Sequence, residues 1–536
     1  MNFKKIAAIL LVLVIAMTGI FAQSISEVYH GEYEGKTVIL HSNDTHGSLA
    51  GFAKMATMRK YFEHEGAAVI VTDAGDFTQG SPYVSLSKGA SAIEMMNQVP
   101  YNFVGLGNHD FDFGVEQLKQ NLSNAKFYAL CANIFDKNGD SLLPPYVVLT
   151  LPGGAKVGIM AIDTPETQTK VNPIYVKDLI FPVGQDLIYL AQQVVDYMRQ
   201  TEGCDTIICI AHLGIDKESE PYTSENLLKY VSGIDFVIDG HSHSVFSGYN
   251  GLPMQQTGIY FQNIGVIVID NATGKIVDNF LKPCEEIEDD PEVLSVAKEI
   301  MDYVDSVYGV KFAESKVSLN GVKSPGNRDM ETNNGDLITE AMLWVVTKNP
   351  DAIKVPAEDV VAVTNGGGIR APIVPGDVTM KDINSILPFG NNVTVVYIKG
   401  SELLMALEAS TQSLPGPLGA FPQICGMHIT IDTTKAYDKA DETYPESTYY
   451  GPKSINRVTI DDINGKPFDP EKTYAVVTND FCSAGGDTYY IFKNASDEFN
   501  TGMPLDEVMM AYITEVLNGV IGEKYAEAQG RITIIK

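Results

Sequence analysis

The sequence VILHSNDTHG, residues 38–47, joins a run of large apolar residues to a segment rich in polar side chains. Residues 38–40 have the continuous apolar character of a strand buried on both faces. Asp44 and His46 follow this strand, separated by one position. The same order, an apolar run followed within a few residues by Asp, Asn or His, recurs at residues 69–72, 103–106, 206–211 and 236–238. This recurrence predicts an α/β fold whose polar side chains gather where strands end.

The rest of the chain divides into segments of different character. Longer amphipathic stretches separate the apolar runs over residues 36–282, which predicts a first α/β domain. An acidic stretch at 283–291 and helically spaced apolar residues from 293 to 307 predict a linker and a connecting helix within 283–310. Residues 311–536 repeat the mixture of strands and helices and end in a strand-like run, which predicts a second domain.

Length and charge exclude several classes of protein. At roughly 150 residues per domain, 536 residues predict two to four domains with sizeable cores. Hydrophobic residues make up 45% and charged residues 20%, which excludes wholesale disorder and a multi-span membrane protein. The 68 acidic residues outnumber the 38 Lys and Arg, and this net charge of −30 excludes nucleic acid as a partner.

The first 22 residues have the pattern of a signal peptide. Lys4 and Lys5 precede an apolar run over residues 6–21, and Ala22 offers a small residue for cleavage. The alternative is a membrane anchor, but the run is shorter than the roughly 20 residues that a span needs. We therefore expect export, to the periplasm or the medium, with no stable membrane anchor after cleavage. The oligomeric state stays open.

The six cysteines are dilute and show no CxxC spacing, which argues against a metal cluster. Export would permit disulfides, and six cysteines allow 15 pairings among which sequence cannot choose. Cys209 lies in an apolar run and is expected to be a small buried hydrophobe.

Five of the nine histidines, His46, His109, His212, His241 and His243, come directly after strand-like runs. A single D-x-H or H-x-H is more often structural. Since the ends of neighbouring strands meet at one edge of a sheet, where α/β proteins usually bind ligands, their convergence predicts a metal site.

The neighbouring polar residues supply further ligands. Asp44 and His46, two apart in an extended segment, would project from the same face, and so would His241 and His243. The Asp76 carboxylate could bridge two ions, and Asn108 offers an amide oxygen. This thiolate-free set suits a pair of divalent ions, with zinc, manganese, iron and cobalt left open. Two ions about 3.5–4 Å apart activate a bridging water for in-line attack on a phosphate ester.

His109 is not needed as a ligand in this set. It could stabilise the transition state or protonate the leaving oxygen, and Asp112 could orient it. The alternative is a structural role beside Asn108.

In the C-terminal half, the segment VAVTNGGGIR at 361–370 runs a strand into three glycines. Exposed glycine backbone suits close approach to a ligand, although a tight turn is the alternative. Arginine is scarce in this acidic chain, so Arg328 and Arg370 are candidates to bind an anion. Phe389 and Phe481 lie in glycine-containing loops, and from sequence alone core packing is their expected role.

The series of residues from Asp44 to His243 resembles the calcineurin-like metallophosphoesterases, and nearly all of the chain after residue 22 resembles the secreted 5′-nucleotidase family. The resemblance implies an N-terminal β-sandwich flanked by helices, joined by a helix to a C-terminal α/β substrate-binding domain. It implies one metal held by Asp44, His46, Asp76 and His243, a second held by Asp76, Asn108, His212 and His241, and a catalytic dyad of His109 and Asp112.

The resemblance also implies substrate contacts in the second domain. Phe389 and Phe481 would sandwich the base, which reverses the expectation of core packing. The remaining implied contacts are Arg328 and Arg370 at the phosphate or ribose, Asn365, Asn391 and Asp487 at the ribose or base, and Gly367 in the glycine loop. Stacking tolerates several bases because each presents a π face.

We therefore expect an exported enzyme with two divalent ions that hydrolyses nucleoside 5′-monophosphates. The alternatives within the class are a UDP-sugar hydrolase and a 2′,3′-cyclic-nucleotide 2′-phosphodiesterase. A surface binding protein would be free to lose the ligands, and none is lost. A sulfur-oxidation hydrolase on the same scaffold would have no use for the paired phenylalanines.

Overall fold

The computed structural model describes residues 31–348 and 353–536. The predicted signal peptide, residues 1–22, lies outside them. The described residues divide into two compact units: unit 1 comprises those up to Thr167 together with Tyr175–Met301, and unit 2 comprises Gln168–Ile174 and those from Asp302 to Lys536. The domain boundaries given above stay predictions. Among the described residues, no helix combines the length and apolar composition needed to cross a membrane.

The strands of the first half of the chain are β1 (Lys36–Ser42), β2 (Ala68–Asp73), β3 (Phe103–Val104), β4 (Tyr128–Ala129), β5 (Phe135–Asp136), β6 (Tyr146–Thr150), β7 (Lys156–Asp163), β8 (Leu179–Ile180), β9 (Thr206–His212), β10 (Phe236–Ile238), β11 (Val245–Tyr249), β12 (Leu252–Thr257), β13 (Asn263–Asp270) and β14 (Ile276–Pro283). The helices are α1 (Gly51–His64), α2 (Pro82–Ser85), α3 (Ala90–Gln98), α4 (Val115–Ser123), α5 (Thr167–Lys170), α6 (Pro173–Val176), α7 (Gln185–Tyr197), α8 (Ser224–Tyr230) and α9 (Pro291–Tyr308).

Unit 1 is built on two six-stranded sheets. Their strand orders are β14-β13-β1-β2-β3-β4 and β11-β12-β10-β9-β7-β6. Strands β1 to β4 run parallel to one another, as do β7, β9, β10 and β12. The remaining pairings are antiparallel, including β13 beside β1. The strands that lead to the candidate site are therefore shared between two sheets, not one as the sequence suggested.

The two sheets pack face to face through apolar residues of both. Ile39 and Ile70 from the first sheet share a core with Ile159, Ile208 and Ile238 from the second. Helices α7 and α8 cover the outer face of the second sheet, and α1 packs against β1 and β2. The predicted β-sandwich flanked by helices is confirmed.

Most of the apolar runs agree closely with the observed strands. Residues 236–238 coincide with β10, and β1, β2 and β9 extend beyond their predicted runs. The strand predicted at residues 103–106 is too long, since only Phe103 and Val104 pair as a strand. The acidic segment before α9 is anchored to α1, because Lys54 Nζ donates to Ile287 O at 2.8 Å and Lys60 Nζ to Asp290 Oδ2 at 2.5 Å.

The strands of the second half are β15 (Lys311–Ser315), β16 (Val360–Asn365), β17 (Gly376–Thr379), β18 (Asn392–Lys399), β19 (Pro422–Cys425), β20 (Met427–Asp432), β21 (Lys439–Thr443), β22 (Tyr450–Pro452), β23 (Val458–Ile463), β24 (Thr473–Asn479), β25 (Asp497–Pro504), β26 (Val520–Ile521) and β27 (Ile532–Ile535). The helices are α10 (Asn333–Thr347), α11 (Met380–Ile386), α12 (Gly400–Ala409), α13 (Asp480–Ser483) and α14 (Leu505–Glu515).

Unit 2 centres on a five-stranded sheet of order β19-β16-β24-β18-β25. Helices α10 and α14 pack with one apolar cluster, which includes Val360 and Val395 of this sheet. A second cluster joins α12 to Val361 and Val396, which alternate with those residues along the same strands. The sheet is thus covered on both faces, in keeping with the predicted α/β class.

Candidate metal centre

The loops after β1, β2 and β10 hold non-glycine residues in left-handed backbone. Asp44, His46, Asp76, His241 and His243 have φ between 43° and 76°. Such conformations cost roughly 1–3 kcal/mol each and cluster at functional sites. The extended geometry predicted for the D-x-H and H-x-H segments is therefore wrong. Tight turns, and not alternation along a strand, bring the side chains together.

Hydrogen bonds between neighbouring loops hold these turns. The N–H of His46 donates to Asp76 O at 3.1 Å. The Asp110 carboxylate accepts the N–H of Asp76 and the N–H of Gly107, each at 2.9 Å. Asp110 therefore ties the loop after β2 to the loop after β3. Sequence reasoning had assigned Asp110 no role.

Carboxylates and imidazoles from these loops converge in two overlapping groups, Asp44 with His46 and His243, and Asp44 with Asp76 and His212. Within each group, all the potential ligand atoms lie within 4.8 Å of one another. Asp76 Oδ2 lies 3.7 Å from His46 Nε2 and 3.2 Å from His212 Nε2, so it faces the histidines of both groups. His243 Nε2 lies 3.4 Å from Asp44 Oδ1.

Peptide carbonyls determine which ring nitrogen of two imidazoles carries a proton. His46 Nδ1 lies 2.9 Å from Gln79 O, and His212 Nδ1 lies 2.7 Å from Ala74 O. A carbonyl only accepts, so each Nδ1 carries a proton and donates it. Whenever either ring is neutral, its lone pair is then on Nε2, the nitrogen that faces Asp76. Such partners orient histidines that bind metal ions.

The electrostatics of the cluster favour a positive charge among these groups. Burial alone would raise the pKa of Asp76, but His212 and His109 hold it well below its usual range. Burial alone would lower the pKa of His212, but Asp76 and Asp44 hold it well above its usual range. Burial lowers the pKa of His46 to about 3. Two buried carboxylates therefore need compensation by cations.

The donor set fits divalent metal ions. Its oxygen and nitrogen atoms match the ligands that borderline divalent ions take in proteins. In addition, the buried Oδ1 of Asn108 has no hydrogen-bond partner within the described ranges. A buried acceptor without a partner is costly, and a cation would satisfy it.

His241 stands apart from the two groups of ligand atoms. Its ring centroid lies 5.2 Å from that of His212, and its Nε2 lies 3.0 Å from Glu166 Oε2. Its backbone N–H donates to Asp44 Oδ2 at 3.0 Å. Sequence reasoning missed Glu166, because an isolated carboxylate in a loop carries no motif.

His109 and Asp112 form a pair beside the cluster. His109 Nδ1 lies 2.7 Å from Asp112 Oδ2, and the N–H of His109 donates to Asp76 Oδ1 at 2.8 Å. The His109 ring centroid is 5.5 Å from that of His46. The pair thus lies within reach of a group bound at the carboxylates.

Unit 2 brings two pairs of the predicted substrate contacts together. Asn365 Nδ2 donates to Asp487 Oδ2 at 2.9 Å. The Arg370 guanidinium lies 5.7 Å from the centroid of the half-buried Phe389 ring. The N–H of Gly367 donates to Gly419 O at 2.8 Å, so the glycine turn uses that donor internally.

The other predicted substrate contacts are Arg328, Asn391 and Phe481. Arg328 accepts the N–H of Leu418 through its backbone carbonyl, and in the described part of the chain its guanidinium makes no hydrogen bond or ion pair. Asn391 accepts the N–H of Leu505. Phe481 is only 7% exposed and belongs to an apolar cluster of unit 2. This burial gives Phe481 a packing role, whatever it contributes to binding.

Comparison with protein families places two known domains on the chain. The calcineurin-like phosphoesterase model matches residues 37–245, and the 5′-nucleotidase C-terminal domain model matches residues 311–494. Between them, these two models cover most of both units.

Individual proteins are similar over nearly the whole chain. The trifunctional nucleotide phosphoesterase protein YfkN of Bacillus subtilis is 28% identical over 92% of this chain, which spans 34% of that longer protein. A 5′-nucleotidase of Diplobatis ommata is 26% identical over 93% of this chain and 90% of its own length. The crystal structure of a 5′-nucleotidase precursor from Thermus thermophilus superposes with a TM-score of 0.75 and 26% identity, covering 94% of this chain and 99% of that one.

Proposed function

Since the chain belongs to the 5′-nucleotidase family, with a calcineurin-like phosphoesterase domain followed by a 5′-nucleotidase C-terminal domain, we propose that it hydrolyses nucleoside 5′-monophosphates to nucleoside and phosphate. The chain is a metal-dependent phosphoric ester hydrolase that acts on nucleotides. The observation that supports this proposal is the convergence of Asp44, Asp76 and three histidines on one largely buried cluster of possible metal ligands.

The proposed metal ligands are those that the family resemblance implies. Asp44, His46, Asp76 and His243 would hold one ion, and Asp76, Asn108, His212 and His241 the other. When bound, two divalent ions supply an activated water nucleophile and neutralise the charge on the phosphate oxygens. Zinc, manganese and cobalt are the candidate ions.

The chain's own residues would perform the remaining steps. Asp112 accepts the Nδ1 proton of His109 and so orients the imidazole. A proton on Nε2 of His109 could then be donated to the oxygen of the departing nucleoside. The same ring could instead stabilise charge on the phosphate.

Unit 2 would select the nucleoside. Phe389 offers a half-buried ring for base stacking, with Phe481 as the proposed second aromatic contact. Arg328 and Arg370 would bind the phosphate or ribose. Asn365, Asn391, Asp487 and the turn at Gly367 would contact the ribose or base.

A broader nucleotide phosphoesterase activity is the second candidate function. The similarity to a relative named as trifunctional favours it, because that similarity extends over 92% of this chain. UDP-sugars and 2′,3′-cyclic nucleotides are the substrates to compare. A non-catalytic surface protein is disfavoured by the intact donor set.

The test is phosphate release from AMP, ATP, UDP-glucose, 2′,3′-cyclic AMP and p-nitrophenyl phosphate. The protein is first stripped with a chelator and then supplied with Mn²⁺, Co²⁺ or Zn²⁺. We expect fast, metal-dependent release from AMP. A faster reaction with another nucleotide would favour the broader enzyme, and no turnover with any metal would reject hydrolysis of these substrates.

We also propose export to the periplasm or the medium, with cleavage after the predicted signal peptide at residues 1–22. N-terminal sequencing of the protein recovered from the producing cells tests this directly. A mature chain that retains the first 22 residues would contradict it.

A further inference from the structure

Glu166 lies in the loop that follows β7, and its carboxylate is turned inward. Its side chain is 2% exposed, and its Oε2 lies 3.0 Å from Nε2 of His241, whose side chain is 8% exposed. The N–H of Glu166 donates to Thr164 Oγ1 at 3.2 Å, which fixes the start of the turn. This buried contact joins residues 75 positions apart in the chain.

The sheet order explains how the two residues meet. Strand β9, which ends at His212, lies between β7 and β10 in the second sheet. The loops after β7 and β10 therefore flank the end of β9. Glu166 from one loop reaches His241 from the other beside His212, whose ring centroid is 5.2 Å from that of His241.

The partner of His241 differs from those of His46 and His212 in its chemistry and in the ring nitrogen that it faces. His46 and His212 donate from Nδ1 to peptide carbonyls, whereas the carboxylate of Glu166 faces Nε2 of His241. An ionised carboxylate only accepts, so Nε2 of His241 carries the proton. The lone pair of the neutral ring is then on Nδ1.

We propose that Glu166 is a positioning residue for the metal centre, which orients His241 and fixes Nδ1 as its metal-binding nitrogen. The proposal rests on the proposed function, because it takes His241 as a ligand of the second ion. A carboxylate also makes an imidazole more basic than a carbonyl does, which strengthens its bond to a metal. Loss of such a partner typically lowers metal affinity about 10- to 100-fold.

The effect should be confined to one of the two ions. Glu166 contacts His241, which is proposed as a ligand of the second ion alone, so the ion proposed at Asp44, His46, Asp76 and His243 should keep its affinity. A residue that merely supports the fold would change the stability of the protein and leave the two affinities in their original ratio.

The experiment compares Mn²⁺ binding to wild type, Glu166→Leu and Glu166→Gln by equilibrium dialysis and electron paramagnetic resonance. Wild type should bind two ions and show the spectrum of a coupled pair. Glu166→Leu should bind one ion as wild type does and the other about 10- to 100-fold more weakly, with a mononuclear spectrum at limiting metal. Glu166→Gln keeps an acceptor oxygen and should lie between the two.

Glu408→Gln is the matched control. Glu408 is also a buried carboxylate, but it lies in unit 2 and accepts backbone N–H groups of residues 456–458. This variant should lose stability without any change in Mn²⁺ affinity. Circular dichroism of the metal-free proteins separates misfolding from metal loss.

The outcomes distinguish the two proposals. A wild type that binds a single ion would overturn the proposed dinuclear centre. A wild type with two ions, together with a folded Glu166→Leu or Glu166→Gln that binds both with unchanged affinity, would overturn the role of Glu166 alone. Equal weakening of both ions in the two variants would also reject it.

Discussion

Nδ1 of His109 lies 2.7 Å from Oδ2 of Asp112, and the two side chains are only 13% and 5% exposed. A short, buried contact of this kind holds the imidazole in one orientation and places the Nδ1 proton toward the carboxylate. Nε2 is then the nitrogen available for proton transfer. Such an arrangement suits the general acid and orienting partner proposed for this pair, and the first prediction tests those roles.

We expect His109→Ala to lower kcat for AMP by about 10²- to 10⁴-fold, the usual contribution of general acid–base catalysis. The loss on p-nitrophenyl phosphate should be much smaller, because its leaving group needs little protonation. Asp112→Asn should show the same pattern with a smaller loss. Steady-state kinetics on both substrates checks this. Equal losses on the two substrates would assign His109 to stabilising the phosphate, and no loss would leave it a structural role.

Asp76→Asn should abolish turnover, because Asp76 faces the histidines of both ligand groups at 3.2–3.7 Å. An amide offers a neutral oxygen and cannot supply the charge that a bridging ligand needs. Metal content measured by atomic absorption should fall for both ions. The exposed Asp278→Asn is the control and should behave as wild type. Near wild-type activity of Asp76→Asn with excess metal would reject the bridging role.

The sequence predicted the convergence of these candidate ligands because the signal is local. Each of β1, β2, β9 and β10 is a short apolar run, and the polar residues follow it directly. The failed assignment of the strands to one sheet and the missed role of Glu166 both depend on contacts between distant segments. The division of the strands between two sheets follows from pairings such as that of His41 with Gly265. The contact of Glu166 with His241 requires both loops to be placed, and no local pattern encodes it.

Phe389→Ala should raise the KM for AMP about 5- to 150-fold and spare p-nitrophenyl phosphate, because stacking is worth about 1–3 kcal/mol per base. Phe389 is half-buried, so little packing is lost. Phe468→Ala, another half-buried phenylalanine of unit 2, is the control. If both substrates suffer equally from Phe389→Ala, the ring does not bind the base.

Phe481→Ala should combine a binding defect with a loss of stability. Because Phe481 is 7% exposed in an apolar cluster, removing the ring should cost about 3–5 kcal/mol of unfolding free energy. Urea denaturation measures that cost, and the KM for AMP measures binding. A stability loss with unchanged KM would assign Phe481 to the core, as its sequence context alone suggested.

Gly265→Ala should destabilise unit 1 through one specific clash. A Cβ at this position would lie 1.9 Å from Nε2 of His41 on the paired strand β1. Overpacking of this kind costs about 1–3 kcal/mol. The clash should be relieved when His41→Ala is added. Urea denaturation of the single and double variants forms a thermodynamic cycle, and additive losses would show that another contact is responsible.

His41 should also make the unfolding free energy depend on pH. Burial lowers the pKa of His41 to about 4 from its usual 6.5, even though Gln255 Oε1 lies 2.9 Å from its Nε2. As the pH falls below 6.5, the unfolded chain binds a proton at this residue and the folded chain does not. The stability present above pH 6.5 is therefore lost progressively down to about pH 4, by about 3 kcal/mol in total. In chelator-treated protein, His41→Gln should remove this part of the acid dependence measured by urea denaturation at pH 4.5 and 7.5, and His64→Gln, at an exposed histidine, should not. Equal pH dependence in wild type and His41→Gln would mean that His41 is protonated in the folded protein as readily as in the unfolded chain.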